Sequence, residues 1–102
     1  MTTMLRTRLT DLVGIQHPIV QTGMGWVSGA RLTAATARGG GLGIIASSTM
    51  SLEQLAEAIR EVKDRTDAPF GVNLRSDALD VNDRVDLMIK EQVRVASFAL
   101  AP

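Results

Sequence analysis

The stretch LGIIASSTMSLEQL, residues 42–55, joins a short apolar run to a strong helix signal and decides the fold class. The run Leu42–Ala46 does not alternate between polar and apolar residues, which is typical of a strand covered on both faces. Ser51 can cap a helix through its hydroxyl, and Gln54 completes a capping box. An apolar stripe at helical spacing follows: Leu52, Leu55, Ala56, Ile59 and Val62. The stretch therefore predicts one strand–helix unit of a parallel sheet.

The alternation of strand and helix continues on both sides of this unit. Apolar runs predict further strands at residues 18–21, 70–74 and 93–100. Helices are predicted from Ser28 or Gly29 to the glycine triplet at 39–41, and over 81–92 with Asp80 or Asn82 as cap. The side chains expected to face the sheet are Leu32, Ala35 and Thr36 on the first of these helices and Val81, Val85, Met88 and Ile89 on the second.

Successive strands lie about 25 residues apart, which is the size of a βα unit. The order indicates an α/β fold with a parallel sheet. The last strand has no helix after it to cover it, and parallel strands need cover on both faces. We therefore predict that residues 1–102 are the N-terminal half, about four βα units, of a TIM (β/α)8 barrel, truncated after the fourth strand.

Composition excludes several classes of function. Eleven basic and eleven acidic residues give a net charge of zero, so no nucleic-acid partner is expected. No cysteine and a single histidine argue against disulfides, thiol chemistry and a metal site. No apolar run approaches the roughly 20 residues of a membrane span, and the N-terminus is charged where a signal peptide is apolar. We expect a cytoplasmic protein that does not bind membranes.

Ligands of parallel α/β folds bind beyond the carboxyl ends of the strands, so the loops there are the places for a site. In the first such loop, Gly23 and Gly25 leave the backbone bare on both sides of Met24, and Trp26 adds apolar surface. This pattern suits a bed for a planar cofactor. The simpler interpretation is a tight turn in which Met24 and Trp26 are buried.

Three polar residues in the later loops are further candidates. Asn73 ends the third strand, where its amide could pair with a heterocycle or tie down a neighbouring loop. Ser47 precedes the capped helix, so it could contact a ligand or only form the turn. Arg75 could hold an anionic substrate group or simply be solvated. The residues alone leave these alternatives open.

Three motifs together carry a resemblance to a known family. They are HPIVQTGMGWV at residues 17–27, GGLGII at 40–45 and PFGVNL at 69–74. In this order and spacing, the chain resembles the nitronate monooxygenases, a family that includes flavin-dependent enoyl-acyl-carrier-protein reductases of type II. The strings VNLRSDA and VASFALAP further resemble actinobacterial members that act on CoA thioesters in steroid degradation.

The resemblance implies a TIM barrel with non-covalent FMN. Gly23, Met24 and Gly25 would line the flavin, Asn73 would bond it, and Ser47 would contact it. Many relatives have glycine at the position of Ser47. The family's catalytic histidine lies beyond the fourth strand, so no catalytic residue is assigned in this chain.

The expected function follows from the same resemblance. It is transfer of hydride between NAD(P)H and an acyl-CoA or acyl-carrier-protein thioester, and a homodimer is left open. The alternative reaction is oxidation of alkyl nitronates with O2. The alternatives that are not enzymes are an inactive barrel fragment and a receiver-like binding domain.

Overall fold

The computed structural model describes residues 5–100, so the ends of the predicted unit 1–102 lie outside the described residues. The sheet has four parallel strands in the order β1-β2-β3-β4. The strands are β1 (Val20–Gln21), β2 (Leu42–Ala46), β3 (Phe70–Leu74) and β4 (Val95–Phe98). The helices are α1 (Arg8–Val13), α2 (Ala30–Arg38), α3 (Leu52–Arg65) and α4 (Val81–Lys90). From β1 onward, strand and helix alternate as the sequence predicts.

Helix α3 forms as its sequence signals predict. The Ser51 hydroxyl accepts a hydrogen bond from the Gln54 backbone N–H at 3.1 Å, and the Gln54 side chain accepts one from the Ser51 N–H at 2.8 Å. Leu55, Ile59 and Val62 are fully buried against the sheet. Burial of each such side chain contributes roughly 1.5–3 kcal/mol, so this face holds the helix in place.

Helix α2 turns a different face to the sheet from the predicted one. Its buried side chains are Ala30, Thr33, Ala34 and Ala37. Ala35 is exposed and Leu32 and Thr36 are only half-buried, so the predicted face is wrong. The reason is a close approach of the helix to the strand. A Cβ built on Gly43 of β2 would overlap the carbonyl oxygen of Thr33, and only small side chains allow such contact.

Helix α4 also departs from its predicted face. Met88 is buried and Val85 packs against the core, but Ile89 is 70% exposed. Arg84 takes the buried position instead. Asp80 is the N-cap residue but makes no cap bond, because its carboxylate pairs with Arg84.

The first and last elements of the chain account for the other differences between the predicted and observed structure. Helix α1 was not predicted, because six residues are too few to show a periodic stripe; it is marked by a capping box at Thr7 and Thr10. Strand β1 is shorter than predicted, since Pro18 has no N–H to donate to a sheet. Strand β4 begins only at Val95, because Gln92 adopts a positive φ of 58° after α4.

Two apolar clusters cover the two faces of the sheet. The larger joins β2 and β3 to the three helices α2, α3 and α4 through Ile45, Phe70, Val72 and Leu74. The smaller brings Leu42 and Ile44 against Val13 and Ile15 of the N-terminal segment. Within residues 5–100, none of the helices is long and apolar enough to cross a membrane. The carboxyl ends of the strands are therefore the part of the sheet where a ligand-binding site is expected.

Candidate functional site

The sheet register places Ala46, Asn73 and Ser97 in one row at the carboxyl ends of β2, β3 and β4. The Ser97 hydroxyl donates a hydrogen bond to the Asn73 side-chain oxygen, Oδ1, at 2.9 Å. The Ser47 hydroxyl donates to the Asn73 backbone carbonyl at 2.7 Å. Asn73 is therefore fixed from the loop after β2 and from strand β4.

Gly23 lies directly against Asn73. A Cβ built on Gly23 would be 2.8 Å from the Cβ of Asn73 and 3.1 Å from its amide nitrogen, Nδ2. Real Cβ atoms do not approach side chains so closely, so the loop after β1 can pass Asn73 only with glycine at position 23. The structure thus brings together two residues that the sequence predicted separately as site residues.

The loop that follows Gly23 is closed by Ser28. The Ser28 hydroxyl accepts a hydrogen bond from the Met24 N–H at 2.6 Å and donates one to the Met24 carbonyl at 3.2 Å. Ser28 is 1% exposed, whereas Met24 is 41% exposed and Trp26 is 87% exposed. The simpler interpretation of this loop, with Met24 and Trp26 buried, is therefore wrong.

Trp26 has a strained backbone as well as an exposed ring. Its φ is 66°, in the left-handed region that bulky residues rarely adopt. Such a conformation costs of order 1–3 kcal/mol and persists only where the surroundings impose it. Here the loop closed by Ser28 imposes it. A cavity of about 320 Å³ lies beside the ring, between the loops after β1 and β2.

Gly25 has no steric reason within the described chain to be glycine. Its φ is not positive, and a Cβ there would meet only the Thr49 methyl group, Cγ2, at an ordinary 3.4 Å. Gly25 therefore leaves bare backbone at the carboxyl end of the sheet that the fold itself does not require.

Ser47 is held beneath the surface of the site. It is 1% exposed, and its hydroxyl proton is directed to the Asn73 carbonyl. The geometry gives Ser47 a role in holding Asn73. A direct contact between Ser47 and a ligand remains a prediction.

Arg75 is paired with a neighbouring carboxylate. Its guanidinium makes two hydrogen bonds to Asp77, at 3.0 and 2.9 Å, and both side chains are about half-exposed. The hydrogen bond from Arg75 lowers the pKa of the Asp77 carboxyl below its usual range, so the pair persists into acid. An anionic ligand at Arg75 would have to compete with Asp77.

Sequence reasoning missed Arg84. Its guanidinium donates to the Ser47 carbonyl at 2.7 Å and to the Met50 carbonyl at 2.6 Å. The available signal was its spacing, since residue 84 falls on the apolar stripe of α4 between Val81 and Met88. A charged residue on such a stripe indicates a specific buried partner.

The site can offer a flat ligand three kinds of contact. The backbone at Gly23 and Gly25 is bare, Met24 offers a soft apolar side chain, and Asn73 Nδ2 donates no hydrogen bond to any residue within 5–100. Across the same described range, no three side chains of the metal-binding types converge. These features fit a planar heteroaromatic ring with acceptor atoms at its edge.

Comparison with known families and proteins identifies the family of the chain. The family model of the nitronate monooxygenases matches residues 6–101. This chain therefore belongs to the nitronate monooxygenase family.

Two curated relatives share the name (3aS,4S,5R,7aS)-5-hydroxy-7a-methyl-1-oxo-octahydro-1H-indene-4-carboxyl-CoA dehydrogenase. The relative from Mycobacterium tuberculosis is 70% identical and that from Rhodococcus jostii 65% identical, each over 98 residues, or 96% of this chain. A nitronate monooxygenase from Pseudomonas aeruginosa is 49% identical over 67 residues, or 66% of this chain. The chain covers 28% of each of the first two proteins and 19% of the third.

Solved structures extend the comparison to the fold. FabK from Thermotoga maritima matches 95% of this chain with a TM-score of 0.91 and 43% identity, and the match covers 31% of FabK. A nitroalkane oxidase from Streptomyces ansochromogenes matches 90% of the chain with a TM-score of 0.75 and 26% identity, over 36% of its own length. These neighbours are TIM barrels, so the predicted fold class is confirmed.

Proposed function

We propose that this chain forms the flavin-holding part of an FMN-dependent oxidoreductase that transfers hydride between NAD(P)H and an acyl thioester. The observation that carries the proposal is the contact between Gly23 and Asn73 at the carboxyl ends of the strands. It puts bare backbone beside an amide nitrogen that donates no hydrogen bond within residues 5–100. Because the chain spans 28% of the Mycobacterium tuberculosis relative and 31% of FabK, we propose that the working enzyme is a barrel of their size.

The residues present fit FMN. The isoalloxazine ring of FMN is flat and carries acceptor atoms at its pyrimidine edge, so Asn73 Nδ2 could donate to it. Gly23, Met24 and Gly25 would lie along the ring, where side chains at the two glycine positions would separate it from the peptide groups. Ser47 and Ser97 would keep Asn73 in place through the bonds at 2.7 and 2.9 Å.

Each part of the site then has a defined task. FMN, when bound, supplies the redox chemistry. Asn73 orients the ring, and Ser28 holds the loop that carries Met24 in its shape. Trp26 offers an exposed indole face beside the 320 Å³ cavity, which suits an apolar ring system of a substrate. No residue described here is assigned to proton transfer.

The choice of an acyl thioester rests on the relatives. The two relatives with 65–70% identity are named as dehydrogenases of a fused-ring carboxyl-CoA ester. An apolar fused ring would suit the exposed apolar surface of Trp26. Nitronate oxidation is the second candidate, supported by the family match and by the Pseudomonas relative. The receiver-like alternative gains no support from the family assignment.

Anaerobic reduction tests this function. We expect the purified full-length protein that carries this chain to be yellow, with FMN released on denaturation. NADH or NADPH should bleach the flavin band without O2. An α,β-unsaturated acyl-CoA ester, whose double bond can accept the hydride, should then restore it. Bleaching by an alkyl nitronate but not by NAD(P)H would favour the nitronate reaction instead. A protein without flavin absorbance that takes up no FMN would contradict the proposal.

Gly25→Ala tests whether the bare backbone at residue 25 serves ligand binding or the stability of the fold. Since the new methyl group meets only Thr49 at 3.4 Å, the melting temperature of the apoprotein should stay within about 2 °C of the wild type. The same methyl group would stand between the backbone and the ring, so FMN affinity should fall roughly tenfold. Differential scanning fluorimetry and fluorescence titration with FMN measure the two effects. An unchanged FMN affinity would remove Gly25 from the site.

A further inference from the structure

Arg84 is a buried arginine that joins helix α4 to the loop between β2 and α3 in the candidate site. The residue is 9% exposed, although it belongs to a helix that is otherwise anchored by apolar side chains. Its Nη1 and Nη2 atoms donate to the carbonyls of Ser47 and Met50, at 2.7 and 2.6 Å, and Nε donates to Asp80 at 3.0 Å. Both carbonyls belong to the loop between β2 and α3, more than 30 residues earlier in the chain.

The bonds of Arg84 lead to Asn73 in two steps. The first is from Arg84 to the Ser47 carbonyl, and the second is from the Ser47 hydroxyl to the Asn73 carbonyl at 2.7 Å. The Ser47 N–H also points to the Asn73 carbonyl, at 3.3 Å. Movement of the loop at Ser47 would therefore release Asn73 from one of its two anchors.

Packing alone gives little reason for an arginine at this position. Desolvation of a guanidinium is costly, and its ion pair is with Asp80, a carboxylate that is 39% exposed. An apolar side chain of similar length would bury itself on the same stripe without that cost. Only the planar fork of arginine can hold two loop carbonyls and a carboxylate at once.

We propose that Arg84 is a positioning residue that fixes Asn73 for the flavin by holding the loop between β2 and α3. This inference rests on the proposed function, since it concerns the amide that would bond FMN. Arg84 does not touch the ring; it acts through Ser47. Its contribution should therefore disappear when the Asn73 side chain is removed.

A double-mutant cycle in the full-length protein tests this route. Arg84→Met should weaken FMN binding roughly tenfold, since charged hydrogen bonds that hold the loop are lost. Asn73→Ala should weaken it by at least as much. Arg84→Met added to Asn73→Ala should change FMN affinity by less than about threefold, because the side chain on which Arg84 acts is already gone. Affinity is measured by quenching of FMN fluorescence at equilibrium.

Arg65→Met is the matched control. Arg65 makes the same kind of ion pair as Arg84, to Glu61 four residues earlier in its helix at 2.9 Å. It is 44% exposed, and within residues 5–100 it makes no hydrogen bond to a loop. It should leave FMN affinity unchanged. Arg84→Lys retains the charge without the fork and should give an intermediate loss.

The outcomes distinguish this inference from the proposed function. Wild-type FMN affinity in Arg84→Met, with or without a lower melting temperature, would reduce Arg84 to a structural residue and overturn the inference alone. A full tenfold effect of Arg84→Met in the Asn73→Ala background would also overturn it. Absence of FMN binding by the wild type would overturn both. If Arg84→Met does not fold, Arg84→Lys and Ser47→Ala enter the same cycle and are judged by the same criteria.

Discussion

Gly23→Ala is expected to reduce FMN affinity by about two orders of magnitude or more, the largest loss from any single methyl group in the site. The new Cβ would stand 2.8 Å from the Asn73 Cβ and 3.1 Å from its amide nitrogen. Asn73 cannot simply turn away, because Ser97 and Ser47 hold its side chain and its carbonyl. Either the loop after β1 lifts or the amide is displaced. Both changes separate the backbone at residue 23 from the Asn73 amide, the two groups proposed to contact the flavin.

Fluorescence titration with FMN in the full-length protein measures the effect of Gly23→Ala. The melting temperature of the apoprotein should fall only by a few degrees, since the overpacking is confined to one loop. Gly39→Ala is the control for addition of a methyl group, because a Cβ there has only ordinary contacts at 3.5 Å. Unchanged FMN affinity in Gly23→Ala would mean that the contact between the two residues has no part in binding.

Gly43→Ala is expected to destabilise the fold itself, by about 3 kcal/mol or more. A Cβ at residue 43 would overlap the Thr33 carbonyl oxygen and lie 3.0 Å from the carbonyl carbon and from Cα of the same residue. These atoms belong to the backbone of α2, which cannot rotate away as a side chain could. The helix must therefore move off the sheet and give up the burial of Ala34 and Ala37.

Chemical denaturation of the apoprotein gives the free energy of unfolding for Gly43→Ala. Gly39→Ala again serves as the control: its backbone is in the right-handed helical region, so it should be neutral or more stable by about 0.4–1 kcal/mol. Equal stability of the two variants would contradict the close packing of α2 on β2.

Much of the fold could be predicted because its signals are local. Apolar runs mark all four strands, and the capping box at Ser51 and Gln54 fixes the start of α3. The face of α2 could not be predicted in this way. Its orientation depends on Gly43, where the absence of a side chain lets the helix approach, and small residues such as Ala34 therefore face the sheet in place of Leu32.

The candidate site could likewise be predicted from the sequence only in part. Topology brings the carboxyl ends of parallel strands together, so Gly23 and Asn73 could be placed at one site from sequence. The bonds around them depend on the register of strands far apart in the chain. That Ser47 would bond the Asn73 carbonyl, and that Arg84 would reach back to Ser47, follow from packing that no local pattern records.

We propose that bare backbone at Gly23 and Gly25 and the amide of Asn73 together hold FMN. The most direct test is an equilibrium titration of the full-length apoprotein with FMN, run side by side on the wild type and Asn73→Ala. We expect one FMN per chain in the wild type and an affinity at least about tenfold lower in the variant. No binding by the wild type, or equal affinity in the two proteins, would contradict it.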